Sequence, residues 1–200
     1  MSQLTEVYEE IAACQRCDLW QSRKNPVPGE GPEDAQIMFI GEGPGFHEDQ
    51  QGRPFVGAAG QFLEELLAEI GLKRDNVYIC NVIKCRPPGN RDPLPEEIEA
   101  CRPFLDRQIE LISPRMIVAL GRFSMERFFP GAKISQVHGQ PRKRAGIIYY
   151  PMYHPAAALH QPKWRQVVED DMSKIPQLLA RADAIADVEL PADAQQLSLF

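Results

Sequence analysis

A short apolar run that stops against a crowded glycine loop limits what this chain can fold into. Gln36–Ile40 (QIMFI) suits a buried strand, and it leads straight into Gly41–Gly60, GEGPGFHEDQQGRPFVGAAG. Gly41, Gly43 and Gly45 carry no side chain, so backbone N–H groups there can come close to a ligand. Pro44 fixes one φ angle in the turn. Glu42, His47, Glu48 and Phe55 are packed into the same loop. A loop at the carboxyl end of a strand is where α/β sheets bind ligands. An ordinary glycine turn has no need of so many reactive side chains.

The rest of the pattern supplies the sheet. Leu4–Ala13 reads as a helix with Ser2 as its N-cap. Asn25–Asp34 is a Pro/Gly loop. Gln61–Ile70 is a second amphipathic helix, closed by Gly71. Val77–Ile83 is a second strand, leaving through Pro87 and Pro88. Glu96–Ile112 is a helix that Pro103 should kink or split. Met116–Leu120 and Ile147–Met152 are further strands, with a short helix at Gly121–Phe129 between them. A last helix spans Trp164–Ala180. Strands alternating with helices imply an α/β/α sandwich around a four-stranded parallel sheet.

The 200 residues suit one domain, expected over 1–180, followed by a flexible acidic tail at 181–200. There is no apolar run long enough to span a membrane, and the polar N-terminus is no secretory signal. A cytoplasmic protein, acting as a monomer, is expected. Gln166–Phe200 holds seven acids and two bases, so five of the six net negative charges belong to that stretch. The remainder is nearly neutral, with bases clustered at Lys84, Arg86 and Arg91 and at Arg142–Arg144. Such a local basic face can bind phosphates despite the acidic total.

Disulfides are not expected in that compartment, so five cysteines need another account. Cys14 and Cys17 form a C-x2-C pair, and Cys85 and Cys101 lie in a loop and on a helix. Four thiolates hold either a tetrahedral zinc ion or a [4Fe–4S] cluster. Cys80, inside the second strand, reads as core.

Taken together, GEGPGFHEDQQGRPFVGAAGQFL, NVIKCRPPGNRDP, ALG, YHPAAAL and the four cysteine positions resemble the family 4 uracil-DNA glycosylases, the bacterial iron–sulfur type. The likeness runs from about Cys14 to Leu179. It implies the sandwich fold already inferred and a structural [4Fe–4S] cluster on Cys14, Cys17, Cys85 and Cys101, which would set the Lys84–Arg91 stretch against DNA. It implies hydrolysis of the N-glycosidic bond of a deoxyuridine flipped out of single- or double-stranded DNA. Phe55 would stack on the base, Asn81 would read its edge, and Glu48 would crowd its C5 face against thymine. His154 would stabilise the leaving uracil anion, helped by the glycine-loop amides. Glu42 would position water or balance charge on the sugar, and Asn90 matches a position near the active site. Gly43 stands where the best-known uracil glycosylases carry a water-activating Asp, which favours a dissociative route over general-base attack.

The loop after His154 would wedge into the duplex through Leu159, with Ala158 as an alternative. Arg86 and Arg91, with Lys163 and Arg165, would hold phosphates. The last five residues, Gln196–Phe200 (QLSLF), resemble the motif by which bacterial repair proteins dock on the replication sliding clamp; the alternative is that Leu199 and Phe200 fold onto their own core. Three rivals stand beside this reading. The first is a superfamily member with altered substrate or covalent DNA trapping, against which the lack of a histidine in Lys84–Cys101 counts. The second is a phosphate-binding module, against which the missing Lys-Ser/Thr of a P-loop counts. The third is a zinc-stapled interaction protein.

Overall fold

The computed structural model describes residues 2–187, and every structural statement below refers to them. Helix α1 (Gln3–Ala13) starts where Ser2 accepts from the Thr5 N–H at 3.2 Å. A single turn, α2 (Leu19–Ser22), follows, and then β1 (Ile37–Gly41). The glycine loop contains a helix that its composition conceals, α3 (Phe46–Gln51), before α4 (Ala58–Glu69). Strand β2 (Tyr78–Asn81) is followed by α5 (Pro95–Ile112), β3 (Met116–Leu120), α6 (Arg122–Phe128) and α7 (Ile134–Val137). Then come β4 (Arg142–Arg144), β5 (Ile147–Met152), α8 (Pro155–His160), α9 (Lys163–Ser173) and α10 (Ile175–Ala180).

The sheet has five strands rather than four, in the order β2-β1-β3-β5-β4. The four expected strands are parallel, and the addition, β4, runs antiparallel along the edge beside β5. Its sequence is Arg-Lys-Arg, so no apolar pattern announces it; it is held by backbone pairing, which any side chain permits. The basic cluster at Arg142–Arg144 is therefore a strand. Arg142 lies over Phe129 and Arg144 over Tyr149, and Lys143 faces Asp187 at 3.9 Å.

Both sheet faces are covered, which is why the central strands are apolar at every position. Ile37, Phe39, Val118 and Tyr150 pack with α4, α9 and α10 on one side. Met38, Ile40, Ile117 and Ala119 pack with α1, α5 and α6 on the other. Pro103 does not split α5, which runs unbroken for 18 residues. Burial of Cys101, Phe104 and Leu105 around it outweighs the backbone bond that a proline removes. The expected final helix does divide, at Lys174, where Pro176 opens α10. The body also continues past 180. Ala182 is buried, and the Gly146 N–H donates to Asp187 at 3.3 Å.

The chain goes from β1 to β2 on one side and then to β3 on the other side of β1. Strand order thus reverses at β1, and the carboxyl end of such a strand is where open α/β sheets bind ligands.

Candidate active site

The switch point collects residues from four strand ends. Gly41 closes β1, Asn81 closes β2, Gly121 follows β3 and His154 follows β5. Phe55 is brought over them by the glycine loop. A Cβ on Gly41 would sit 2.5 Å from Asn81 Oδ1 and 2.6 Å from Phe55 Cζ, so the bare backbone lets amide and ring meet. The rings of Phe55 and His154 are stacked, with centroids 5.4 Å apart and 24° between planes. A Cβ on Gly121, whose φ is +85°, would lie 3.1 Å from His154 Cβ. The three residues expected to form the pocket therefore do converge.

Asn81 is 1% exposed, and its Oδ1 has no hydrogen-bond partner. Leaving a buried acceptor unmet costs about 1–3 kcal/mol, so this oxygen can accept from a donor outside the chain. Its backbone is held from below: Lys84 Nζ donates to the Asn81 carbonyl and to Gln108 Oε1, each at 2.7 Å. Gln108 donates in turn to the Tyr78 hydroxyl at 2.9 Å. Lys84 is buried in this network and does not face DNA, which corrects its place in the expected basic surface.

His154 is the N-cap of α8, and its Nδ1 accepts from the Ala156 N–H at 3.1 Å. With Nδ1 an acceptor, the proton of the neutral ring sits on Nε2. Burial lowers the His154 pKa to about 4, against the raising pull of Glu48. The ring is a neutral N–H donor at physiological pH. Glu48 staples the loop: it accepts from the N–H groups of Gly45 at 3.1 Å, Val56 at 2.9 Å and Gly57 at 2.8 Å. Phe55 itself is a buried residue at φ +51°, a conformation that disfavours side chains. Arg74 holds it there by donating to the carbonyl oxygens of Phe55, at 2.9 Å, and Pro54. Nothing in the sequence around Arg74 signals that role.

Glu42 is half-buried beside Asp92 and Arg122, which pair with each other. Burial raises the Glu42 pKa, and the charge of Asp92 adds to the rise while Arg122 opposes it. A Cβ on Gly43 would lie 2.7 Å from Ile83, so an acidic side chain at 43 would collide with the β2 exit. Asn90, at φ +55°, is exposed and accepts from Arg86 Nε at 2.6 Å.

The expected phosphate-binding residues divide. Arg91 is committed to Glu97 through two bonds of 2.9 and 2.6 Å. Arg165 is committed to Glu65 and Glu169 at 3.1 and 2.8 Å. Each guanidinium is paired in the free protein, Arg91 with the start of its following helix and Arg165 both within α9 and across to α4. Arg86 and Lys163 have no carboxylate partner among the described residues. Leu159 on α8 is 46% exposed whereas Ala158 is buried, so exposure singles out Leu159 as the wedge candidate.

The four cysteines Cys14, Cys17, Cys85 and Cys101 line one cavity between α1, the exit from β2 and α5. Arg23 donates to Cys85 Sγ at 3.1 Å and to the Ala12 carbonyl at 2.7 Å. Burial raises the Cys17 and Cys85 thiols and pushes Cys101 up to about 12. No three Cys, His, Asp or Glu side chains among the described residues converge closely enough for a single metal ion. Cys80 lies apart in the core, as expected. The motif Gln196–Phe200 lies outside the described residues.

Comparison with known proteins agrees with this geometry. The model of the uracil DNA glycosylase superfamily matches residues 28–174. A type-4 uracil-DNA glycosylase of Sulfurisphaera tokodaii is 50% identical over 188 residues, covering 89% of this chain and 86% of that protein. Those of Archaeoglobus fulgidus and Thermotoga maritima are 47% and 48% identical, covering 90% and 84% of this chain and 96% and 90% of theirs. The relatives are mostly archaeal, so the likeness is not a specifically bacterial one. With this degree of identity over most of its length, the chain belongs to the uracil-DNA glycosylase superfamily and to its type-4 family.

Proposed function

We propose that this protein excises uracil from DNA, hydrolysing the N-glycosidic bond and leaving an abasic site. The observation that carries the reading is the buried, unpartnered Asn81 Oδ1 beside the Phe55 ring. Uracil offers the matching donor at N3–H and an acceptor at O4 for the amide nitrogen. Cytosine reverses both groups, at about 1–3 kcal/mol for each mispaired buried atom. The Asn81 amide and the Phe55 ring both lie against Gly41. Glu48, stapled to three amides, walls the C5 side of the pocket.

As the bond breaks, negative charge gathers on uracil and positive charge on the sugar. His154 donates from Nε2 to uracil O2 as a neutral group, so no proton has to be lost first. Glu42 lies where a half-buried carboxylate balances the cationic sugar. Gly43 offers no acid to activate water, and a side chain there would have to displace Ile83. Bond breaking is thus driven from the leaving-group side. Leu159 fills the gap left by the flipped base, and Arg86 and Lys163 hold phosphates.

Cys14, Cys17, Cys85 and Cys101 would hold a [4Fe–4S] cluster, which supplies a cross-link between α1 and the loop after β2. The donor set fits this group: four thiols from three segments of the chain share one cavity. The protein acts as a monomer in the cytoplasm, and Gln196–Phe200 is its tether to a sliding clamp. Deleting those five residues leaves uracil release intact and abolishes clamp pull-down; unchanged pull-down removes the tether.

The test of the enzyme reading is incubation with a uracil-containing oligonucleotide followed by alkaline cleavage. Wild type gives strand breaks at the uracil, and Asn81→Ala and His154→Ala lose most of them. Equal cleavage by all three refutes the assignment.

A further inference from the structure

Phe46 opens α3 and is 51% exposed, more than any other phenylalanine, tyrosine or tryptophan among the described residues. A single exposed phenylalanine means nothing by itself, but this one is held in place. The Arg86 guanidinium carbon lies 5.2 Å from the centroid of its ring, and His47 meets the ring edge-on at 5.5 Å. Arg86 is fixed by its 2.6 Å bond to Asn90 and has no carboxylate partner among the described residues. An ordered ring beside a free, oriented cation is the combination that binds single-stranded nucleic acid: the ring stacks a base and the cation takes its phosphate. Phe46 directly follows the glycines at the carboxyl end of β1.

We propose that Phe46 and Arg86 form a stacking platform for the base next to the extruded uracil. This rests on the uracil-excision reading and names a contact that reading does not contain. Removing a neighbour from the stack leaves its π-face without a partner, and a ring fixed at the rim restores one. Because every base has such a face, the platform adds affinity without sequence preference.

The experiment measures binding by fluorescence anisotropy, using a single-stranded oligonucleotide with one 2′-fluoro-deoxyuridine that resists cleavage. Two further oligonucleotides carry an abasic tetrahydrofuran residue immediately 5′ or 3′ of it. Phe46→Ala weakens binding to the intact oligonucleotide about tenfold, and Phe46→Trp binds like wild type. On one of the two abasic oligonucleotides, wild type and Phe46→Ala bind equally. Equal affinities on the intact oligonucleotide overturn the platform. So does the same loss on all three oligonucleotides, or a loss with tryptophan as large as with alanine. Uracil release from the matching deoxyuridine oligonucleotide is followed in parallel. Failure of wild type to release uracil refutes the enzyme reading, while the binding comparison still decides the role of Phe46.

Discussion

His154 illustrates how one residue's surroundings set its chemistry. Its folded pKa of about 4 lies below the ordinary 6.5 because burial disfavours the imidazolium. The unfolded chain therefore binds the proton more readily than the folded one. The stability tied to His154 is fully present above about pH 6.5 and is lost as pH falls toward 4. The window allows a loss of up to about 3 kcal/mol. Between pH 7 and pH 4.5, the urea midpoint of wild type should fall further than that of His154→Asn, which has nothing to protonate. Equal falls would mean that the ring is not neutral by design. At Asn81 the expected effect is on catalysis: Asn81→Ala should lower kcat/KM for uracil about ten- to hundredfold, measured by single-turnover cleavage. Both residue types, and their place at strand ends, were legible in the sequence. The tautomer of His154 was not, because it depends on the Ala156 amide in the folded backbone.

At the scale of elements, the glycine loop is rigid because side chains hold it, not because it is short. Glu48 takes three backbone N–H groups, and Arg74 clamps the carbonyls on either side of the Phe55 bend. Glu48→Ala strands three donors and should cost about 3 kcal/mol in chemical denaturation. Lys84 does similar work under β2. Lys84→Met removes the donor from the Asn81 carbonyl and from Gln108, and should cost about 2–3 kcal/mol in the same measurement. Sequence pattern found β3 and β5 to the residue, since an unbroken apolar run is what a strand covered on both faces demands. It missed β4, whose Arg-Lys-Arg is held by backbone bonds, and α8, whose Pro-Ala-Ala-Ala reads equally well as loop.

For the whole molecule, the cysteine cavity joins segments that start far apart in the chain: α1, the exit from β2 and α5. Cys101→Ser should lower iron content and the broad visible absorption of the purified protein, together with its melting temperature, because the cross-link between α1 and the sheet is lost. Unchanged iron and melting would remove the four-cysteine assignment. The sequence by itself determined the layered α/β architecture and the glycine loop at the carboxyl end of β1, because local periodicity and strand ends are short-range properties; the roles expected of Phe55, Asn81 and His154 came from the resemblance to the family 4 glycosylases. Only the tertiary structure decided which cations are free. Arg91, Arg165 and Lys84 are consumed by Glu97, by Glu65 with Glu169, and by the Asn81–Gln108 network. Two of those partners, Glu65 and Gln108, stand 100 and 24 positions away in the chain. A charge's availability is a property of what packs beside it, and packing is settled only when the elements meet.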